Sequence, residues 1–552
     1  MSKFQVNDHG EYCLDFTRSK EKFDPLEKTI PDLIHSRNAW DQKDAFVCDG
    51  EKVNLTFTKV SQLMDQLAAG LLTSGLKSDA KVLISGYNHY EIIICALACS
   101  RAGMVFCLTS PKVNQDELHE LIVLGSFNAI ILFGHGPDSD LFGTMILDMY
   151  PEMKKCHKGS LKLDRAPSLT HVILACENYR HVGTYTLSDI YNKGTTEKIK
   201  KLPEYRNWNP HKLAAIQATS GHSQKPRLAG LSHYQLINGS HSVSFHVGVN
   251  KDSKLCIALP FYRISVFCLA AFTPFINSSV TIISEPSPIP RLLFKSIAKN
   301  SVNYLMTNGI ALRLLLRISK TQKVTLPTIK TCILLGENIH PELLNDIPQT
   351  MPNTKKIACG YLLTETGSIP LFSTNIKTIG NNLPQFDIEM KAVDGLDSKY
   401  KELFVRPFNK TKFFGYAPTY GNCSDWIATN DIVIQNKENN IELVTQRADL
   451  IIDQNGLLVE HWVIEKTLSK FHEIKGSAQV VSISGEVVAV VIPTDPIKNL
   501  ELFRSDLVQM CKQSKVRVPD KFAIVSDFPR SNARIKKSLL RAALKNGELI
   551  VF

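Results

Sequence analysis

Ala218-Thr219-Ser220-Gly221-His222-Ser223-Gln224-Lys225-Pro226-Arg227, followed by Leu231-Ser232-His233, is the segment from which the fold is read. Hydroxyl side chains and one glycine stand between an apolar run, Leu213 to Gln217, that reads as a strand, and a helix expected to start near Ser232. Backbone N–H groups and hydroxyls at such a junction are donors for phosphate oxygens. The same composition alone also fits a polar surface turn.

Outward from this loop the pattern is regular. From about Thr56 to about Ile434, helix-period stretches alternate with short β-branched runs, the signature of an α/β protein with largely parallel sheets. The spacing predicts a helix over Phe57 to Gly75, a buried strand over Lys81 to Ser85, a helix over Tyr90 to Ala102 and a strand over Met104 to Leu108. Further strands are expected at Ala129 to Phe133, Ser279 to Ile283 and Ile329 to Leu335. After Arg447 the character changes. Asp449, Asp453, Asn455 and Gly456 lead into about a hundred residues with their own strands and helices, a small α+β lid, so a boundary is placed at 448/449.

Composition bounds the function. With 552 residues the chain exceeds the size of one core, and 44% hydrophobic with 21% charged residues is an ordinary globular balance. The net charge of +11 is spread without a block of like charges, which suits anionic small ligands better than nucleic acid. Thirteen cysteines without Cys-x-x-Cys spacing suggest neither a disulfide framework nor a zinc site, and Cys95 and Cys99 read as small core residues. The first residues lack the pattern of a secretory signal, and no integral membrane segment is expected. The final Leu549-Ile550-Val551-Phe552 is not a peroxisomal tripeptide, so a cytoplasmic location is expected. The oligomeric state is not readable.

The opening segment resembles the phosphate loop of the adenylate-forming superfamily, Thr-Ser-Gly-Thr-Thr-Gly-x-Pro-Lys-Gly followed by Leu-Ser-His. Thr219, Ser220, Gly221, Pro226, Leu231, Ser232 and His233 match it. The likeness runs in the family's order from about Thr56 to about Leu540. Asn88, Ala102-Gly103 and Pro111 come first, then Gly336-Glu337, Cys359 to Glu365, Gly415-Tyr416, Trp426 with Thr429 to Asp431, and Arg447 with Asp449. The acyl-CoA synthetase, 4-coumarate-CoA ligase and luciferase branch is nearest in appearance. The resemblance implies a large N-terminal domain of parallel-sheet α/β subdomains, residues 1–448, that binds AMP, and a C-terminal lid, residues 449–552. It further implies ATP, Mg2+ and coenzyme A as cofactors and a small carboxylic acid as substrate.

Site roles are implied residue by residue. Thr219, Ser220, Gly221, Ser223 and Arg227 fall in the phosphate loop. Gly336, Glu337 and Tyr361 fall at the adenine pocket, and Arg263, Gly360 and Leu362 beside the acyl pocket. Glu365 matches the magnesium carboxylate, Thr364 the hydroxyl on the α-phosphate, Asp431 the ribose acid, Arg447 the ribose and phosphate arginine, and Asp449 the hinge. The pattern is broken where Gln224 and Leu228 replace glycines, Arg227 a lysine, Leu362 and Asn430 glycines, and Arg263 a histidine. In Phe528 to Ile535 the block is one residue short and Arg534 stands where the family carries its adenylation lysine, with Lys536 and Lys537 as nearby substitutes. These changes leave three expectations: an acyl-CoA ligase with impaired adenylation, a degenerate protein that binds without turnover, or half an enzyme that converts a supplied acyl-adenylate to thioester without making one.

Overall fold

Thr56 begins the first long helix because its side chain accepts from the Lys59 N–H, and the helix Phe57–Thr73 turns its apolar stripe inward before Gly75, at φ 110°, lets the chain reverse. The computed structural model describes residues 23–37, 42–134, 141–178, 180–219, 227–287, 289–336, 342–375, 378–421, 424–437, 439–531 and 534–552. Strand Lys81–Ser85, helix Tyr90–Arg101 and strand Val105–Thr109 form the expected parallel unit, in register Lys81 to Val105. The helix is apolar on nearly every face because it is buried on nearly every face; Cys95 and Cys99 are both inaccessible within it.

The described residues form two compact units, one within 1–219, 226–388 and 405–427, the other covering 389–404 and 428–552. Packing thus groups 389–404 and 428–448 with the C-terminal unit, whereas the sequence reading assigned them to the N-terminal domain.

The first unit holds two sheets. In the seven-stranded sheet the order is Thr184–Thr186, His171–Leu174, Ala129–Leu132, Lys81–Ser85, Val105–Thr109, Leu213–Ala218 and Leu228–Ser232. All neighbours are parallel except the last pair. In the nine-stranded sheet Asp44–Cys48, Val280–Ile283, Lys254–Ile257, Tyr304–Thr307, Thr331–Leu335 and Lys356–Leu363 run parallel, with antiparallel strands added at both edges. Two carboxamides fasten one sheet to the other. Asn88 Nδ2 donates to the Leu259 carbonyl at 2.8 Å while its Oδ1 accepts from Phe261 N–H at 2.9 Å. Gln217 Nε2 donates to the carbonyls of Leu108 at 2.8 Å and Tyr262 at 3.0 Å. Both amides lie just past or at the carboxyl ends of parallel strands, the end of an α/β sheet where ligands bind.

The second unit carries a four-stranded sheet, Gln479–Ile483, Glu486–Val491, Lys521–Ile524 and Ile550–Val551, packed with helices His461–Leu468, Leu500–Gln513 and Lys537–Lys545. The strands and helices expected after Asp449 are thus present, as is their α+β character. A further four-stranded sheet, Asp387–Ala392, Lys401–Arg406, Ile427–Gln435 and Ile441–Gln446, lies mostly in this unit, and its last pair is antiparallel.

The helix expected near Ser232 is present as His233–Val247, and a strand that the sequence did not announce, Leu228–Ser232, lies between it and the phosphate loop, paired antiparallel with Leu213–Ala218. All five of its residues are buried, so burial and pairing hold them as a strand. The helix N-terminus is instead closed by Ser232, whose hydroxyl accepts from Gln235 N–H at 3.1 Å in a capping box. His233 accepts from Ile30 N–H at 3.3 Å, and burial pushes its imidazole down to about 4.

Leu228, which replaces a family glycine, is fully buried in the cluster of Leu83, Cys107, Ile130 and Ile216. Its side chain fills core space. Leu228→Gly is therefore expected to cost about 4 kcal/mol of stability, read as a lower urea midpoint for the first unit, with no gain in nucleotide binding.

Candidate functional site

The loop between strands Leu213–Ala218 and Leu228–Ser232 is closed at its neck by Thr219 N–H, which donates to the Arg227 carbonyl at 2.8 Å. That bond uses the Thr219 amide and leaves its hydroxyl, whose Oγ1 is buried and has no partner among the described residues. A buried unpaired hydroxyl is costly unless a ligand completes it, which fits a phosphate oxygen at this point. Ser220, Gly221, Ser223 and Gln224 lie outside the described residues, as does Glu337.

Glu365 sits in the short 3-10 turn Thr364–Thr366, which follows strand Lys356–Leu363 and is stopped by Gly367 at φ 63°. It is 6% exposed. Tyr416 OH donates to its Oε1 at 2.8 Å, and Arg227 Nη2 stands 3.9 Å from the same oxygen, a charge contact longer than a hydrogen bond. The Arg227 guanidinium also stacks over the Tyr416 ring, 4.4 Å from its centroid. Burial first, and the Glu365 charge second, push the Tyr416 phenol above its usual range, so it remains a donor. Tyr416 is carried to Glu365 because its segment lies along Leu228–Ser232: Gly230 N–H donates to the Gly415 carbonyl and Ala417 N–H to the Leu228 carbonyl. Sequence reasoning quoted Gly415-Tyr416 as a family block but gave the tyrosine no role. Nothing in the sequence pairs this tyrosine with a carboxylate 51 residues away.

Other expected positions gather nearby in the same unit. Gly336 ends strand Thr331–Leu335 at φ 103°, and a Cβ there would come 3.8 Å from Arg263 Nη1, so the strand end passes over that guanidinium. Gly360 is demanded by packing, since a Cβ would lie 2.5 Å from Leu335 Cδ2 and 2.7 Å from Ile369 Cγ2. Tyr361 and Leu362 are half-buried at an irregularity where the pairing of this strand with Ser368–Ser373 shifts. A bulge of this kind re-aims side chains, so Leu362 leaves the regular alternation.

The remaining positions lie in the second unit. Asp431 is buried, and its N–H donates to Thr429 Oγ1 at 3.1 Å while that hydroxyl donates to the Leu403 carbonyl at 2.7 Å. Arg447 donates to Glu402, which is buried. Asp449 accepts from Arg541 Nη2 at 3.5 Å. Arg534 lies in the two-residue strand Arg534–Ile535, paired antiparallel with Arg530–Ser531. Lys537 is not a substitute cation there, because its Nζ is 2.6 Å from Glu465 Oε1 and only 10% of its side chain is exposed.

The sequence model of the family described as AMP-binding enzyme matches residues 35–405. The chain belongs to that family. The adenylate-forming resemblance read from the sequence therefore holds. Among curated relatives of this AMP-binding enzyme, the mitochondrial medium-chain acyl-CoA ligase ACSF2 of Danio rerio is 24% identical over 94% of this chain and 88% of its own. Among solved structures, the anthranilate CoA ligase AuaEII in complex with anthranoyl-AMP aligns with a TM-score of 0.77 at 14% identity, covering 95% of this chain and 99% of its own. The ATP-bound MatB of Rhodopseudomonas palustris aligns with a TM-score of 0.74 at 17% identity, covering 94% and 99%. Among the described residues no helix is long and apolar enough to cross a membrane.

Asn430 replaces a family glycine and adopts φ 60°, the left-handed region that Asn tolerates better than most residues with a Cβ. The substitution is thus conformationally accommodated. Asn430→Gly should leave stability within a few tenths of a kcal/mol and Asn430→Ala should cost about 1 kcal/mol, measured by thermal melting.

Proposed function

We propose that this AMP-binding enzyme is an acyl-CoA ligase that joins a carboxylic acid to ATP as an acyl-adenylate, releasing pyrophosphate, and then to coenzyme A, releasing AMP. The observation that carries the reading is the convergence, in one unit, of Arg227, Tyr416 and Glu365 at the end of the loop whose Thr219 hydroxyl is buried and open to a ligand. The names of the relatives favour a medium-chain fatty or aromatic acid.

The physical difficulty of the first step is that a carboxylate must approach a polyanion, so positive charge and fixed dipoles must already face the α-phosphate. A magnesium ion would supply Lewis-acid neutralisation of the phosphates, and Glu365 would hold it. Thr219, with Ser220, Gly221 and Ser223, would bind phosphate oxygens through hydroxyls and loop amides, and Arg227 would add charge. Thr364 would hydrogen-bond the α-phosphate. Gly336, Glu337 and Tyr361 would border the adenine, while Arg263, Gly360 and Leu362 would border the acyl group. Asp431 would accept the ribose hydroxyls.

Arg447 would join Asp431 while still donating to Glu402, because its guanidinium carries five N–H donors. Residues 1–448 would act as the adenylation domain and 449–552 as the lid, turning at Asp449 between the two half-reactions. That hinge concerns motion during turnover and is separate from the static packing of residues 428–448. A cytosolic location is our reading, although the vertebrate relative is named as mitochondrial; subcellular fractionation decides it.

Incubation with ATP, Mg2+, coenzyme A and a panel of medium-chain and aromatic acids should release pyrophosphate and AMP, and Glu365→Gln should lower the rate about 100-fold or more. Absence of pyrophosphate with every acid would overturn the reading. Arg534→Lys should raise pyrophosphate release about tenfold, because a compact ammonium fits between carboxylate and phosphate where a planar guanidinium does not. Equal rates would assign the cation to another residue.

A further inference from the structure

Glu365 has two oxygens, and both described contacts fall on one of them: Tyr416 OH donates to Oε1 at 2.8 Å, and the Arg227 Nη2 charge stands 3.9 Å from it. A carboxylate held by a single partner can rotate about its last torsion, which is broad and roughly two-fold. A phenol that is itself fixed removes that freedom. Tyr416 is fixed three times over: by the strand-like pairing of Gly415 and Ala417 with Gly230 and Leu228, by the Phe413 ring against it at 5.1 Å, and by the Arg227 guanidinium on its face.

From this geometry we infer that Tyr416 is a positioning residue, which with Arg227 ties down Oε1 of Glu365 and keeps Oε2 as the oxygen offered to the nucleotide's divalent cation. The inference rests on the ligase reading. It also gives a reason for arginine in place of the family lysine at 227. A guanidinium can stack on the Tyr416 ring and reach the carboxylate at once, whereas an ammonium is a point charge without a flat face. The stack and the hydroxyl bond together make the carboxylate's orientation a property of the protein before nucleotide arrives.

The test is a magnesium titration of the full chain in the presence of α,β-methylene-ATP, followed by thermal melting so that no turnover is needed. Tyr416→Phe keeps the ring and the arginine stack but removes the hydroxyl. It should raise the Mg2+ concentration for half-maximal stabilisation about tenfold, the scale of a hydrogen bond to a charged group. The nucleotide's effect without Mg2+ should be unchanged. Arg227→Lys, read in the same way and serving if Tyr416→Phe folds poorly, should raise the midpoint about threefold. A purely structural tyrosine would lower the melting temperature of the unliganded protein and leave the Mg2+ midpoint where it was, and that result for both variants would overturn the inference. If the unsubstituted protein itself shows no stabilisation by Mg2+ with the nucleotide, the ligase reading fails and the inference with it. A response in the unsubstituted protein with superimposable variant curves sinks the inference alone.

Discussion

The placement of the site in the first unit depends on two side-chain amides. Asn88 and Gln217 reach from the seven-stranded sheet to the turn Leu259 to Tyr262, which follows a strand of the nine-stranded sheet, and together they make three hydrogen bonds to it between 2.8 and 3.0 Å. Both residues are buried, so neither amide has water as an alternative partner. Losing Asn88 would strand the Leu259 carbonyl and the Phe261 N–H, and losing Gln217 the carbonyls of Leu108 and Tyr262, at about 1–3 kcal/mol each. The consequence is geometric as well as energetic. Gln217 lies two residues before Thr219, and Tyr262 directly precedes Arg263. The clasp therefore sets the distance between the neck of the phosphate loop and the Arg263 and Gly336 end of the other sheet.

Given that frame, the departures from the family pattern sort by what each side chain meets. Leu228 is absorbed by the core, and Asn430 takes the left-handed conformation that its family glycine would have supplied. Arg227 keeps its charge and gains an aromatic partner. None of these three requires that the nucleotide site be lost, which is why a list of missing glycines overstates the damage. A glycine can be present to spare space for a ligand, to permit positive φ, or to avoid a neighbour, and only the first of these bears on binding. Gly360 shows the third case, since the atoms a side chain would strike are Leu335 and Ile369.

Most of the fold was legible because it is written in local periodicity. The Phe57 to Thr73 helix carries a cap, an apolar stripe and a stop, and Lys81 to Ser85 is a short apolar run between turns. The strand Leu228–Ser232 was not legible, since Leu-Ala-Gly-Leu-Ser has no β-branched residue and contains a glycine, and what makes it a strand is pairing with Leu213–Ala218 and burial under neighbours distant in sequence. The site was legible where a block of residues carried it, as at Thr364-Glu365. Tyr416 was not, because its role depends on a tertiary approach of residues 51 apart, and one tyrosine gives no sign of which carboxylate it faces.

The basic C-terminal stretch makes the same point about charge. By resemblance, Arg534 is the candidate for the cation beside the α-phosphate, with Lys536 and Lys537 as nearby substitutes. Lys537 is removed by Glu465, which holds its ammonium at 2.6 Å and also accepts from Val480 N–H at 2.8 Å. Burial pushes the Glu465 carboxyl upward, and the Lys537 ammonium opposes that shift. A lysine in that position is bound to its carboxylate more firmly than a surface pair would be, because removing either partner leaves the other charge poorly hydrated. Lys537 therefore ties its helix, Lys537–Lys545, through Glu465 to helix His461–Leu468 and to the strand Gln479–Ile483.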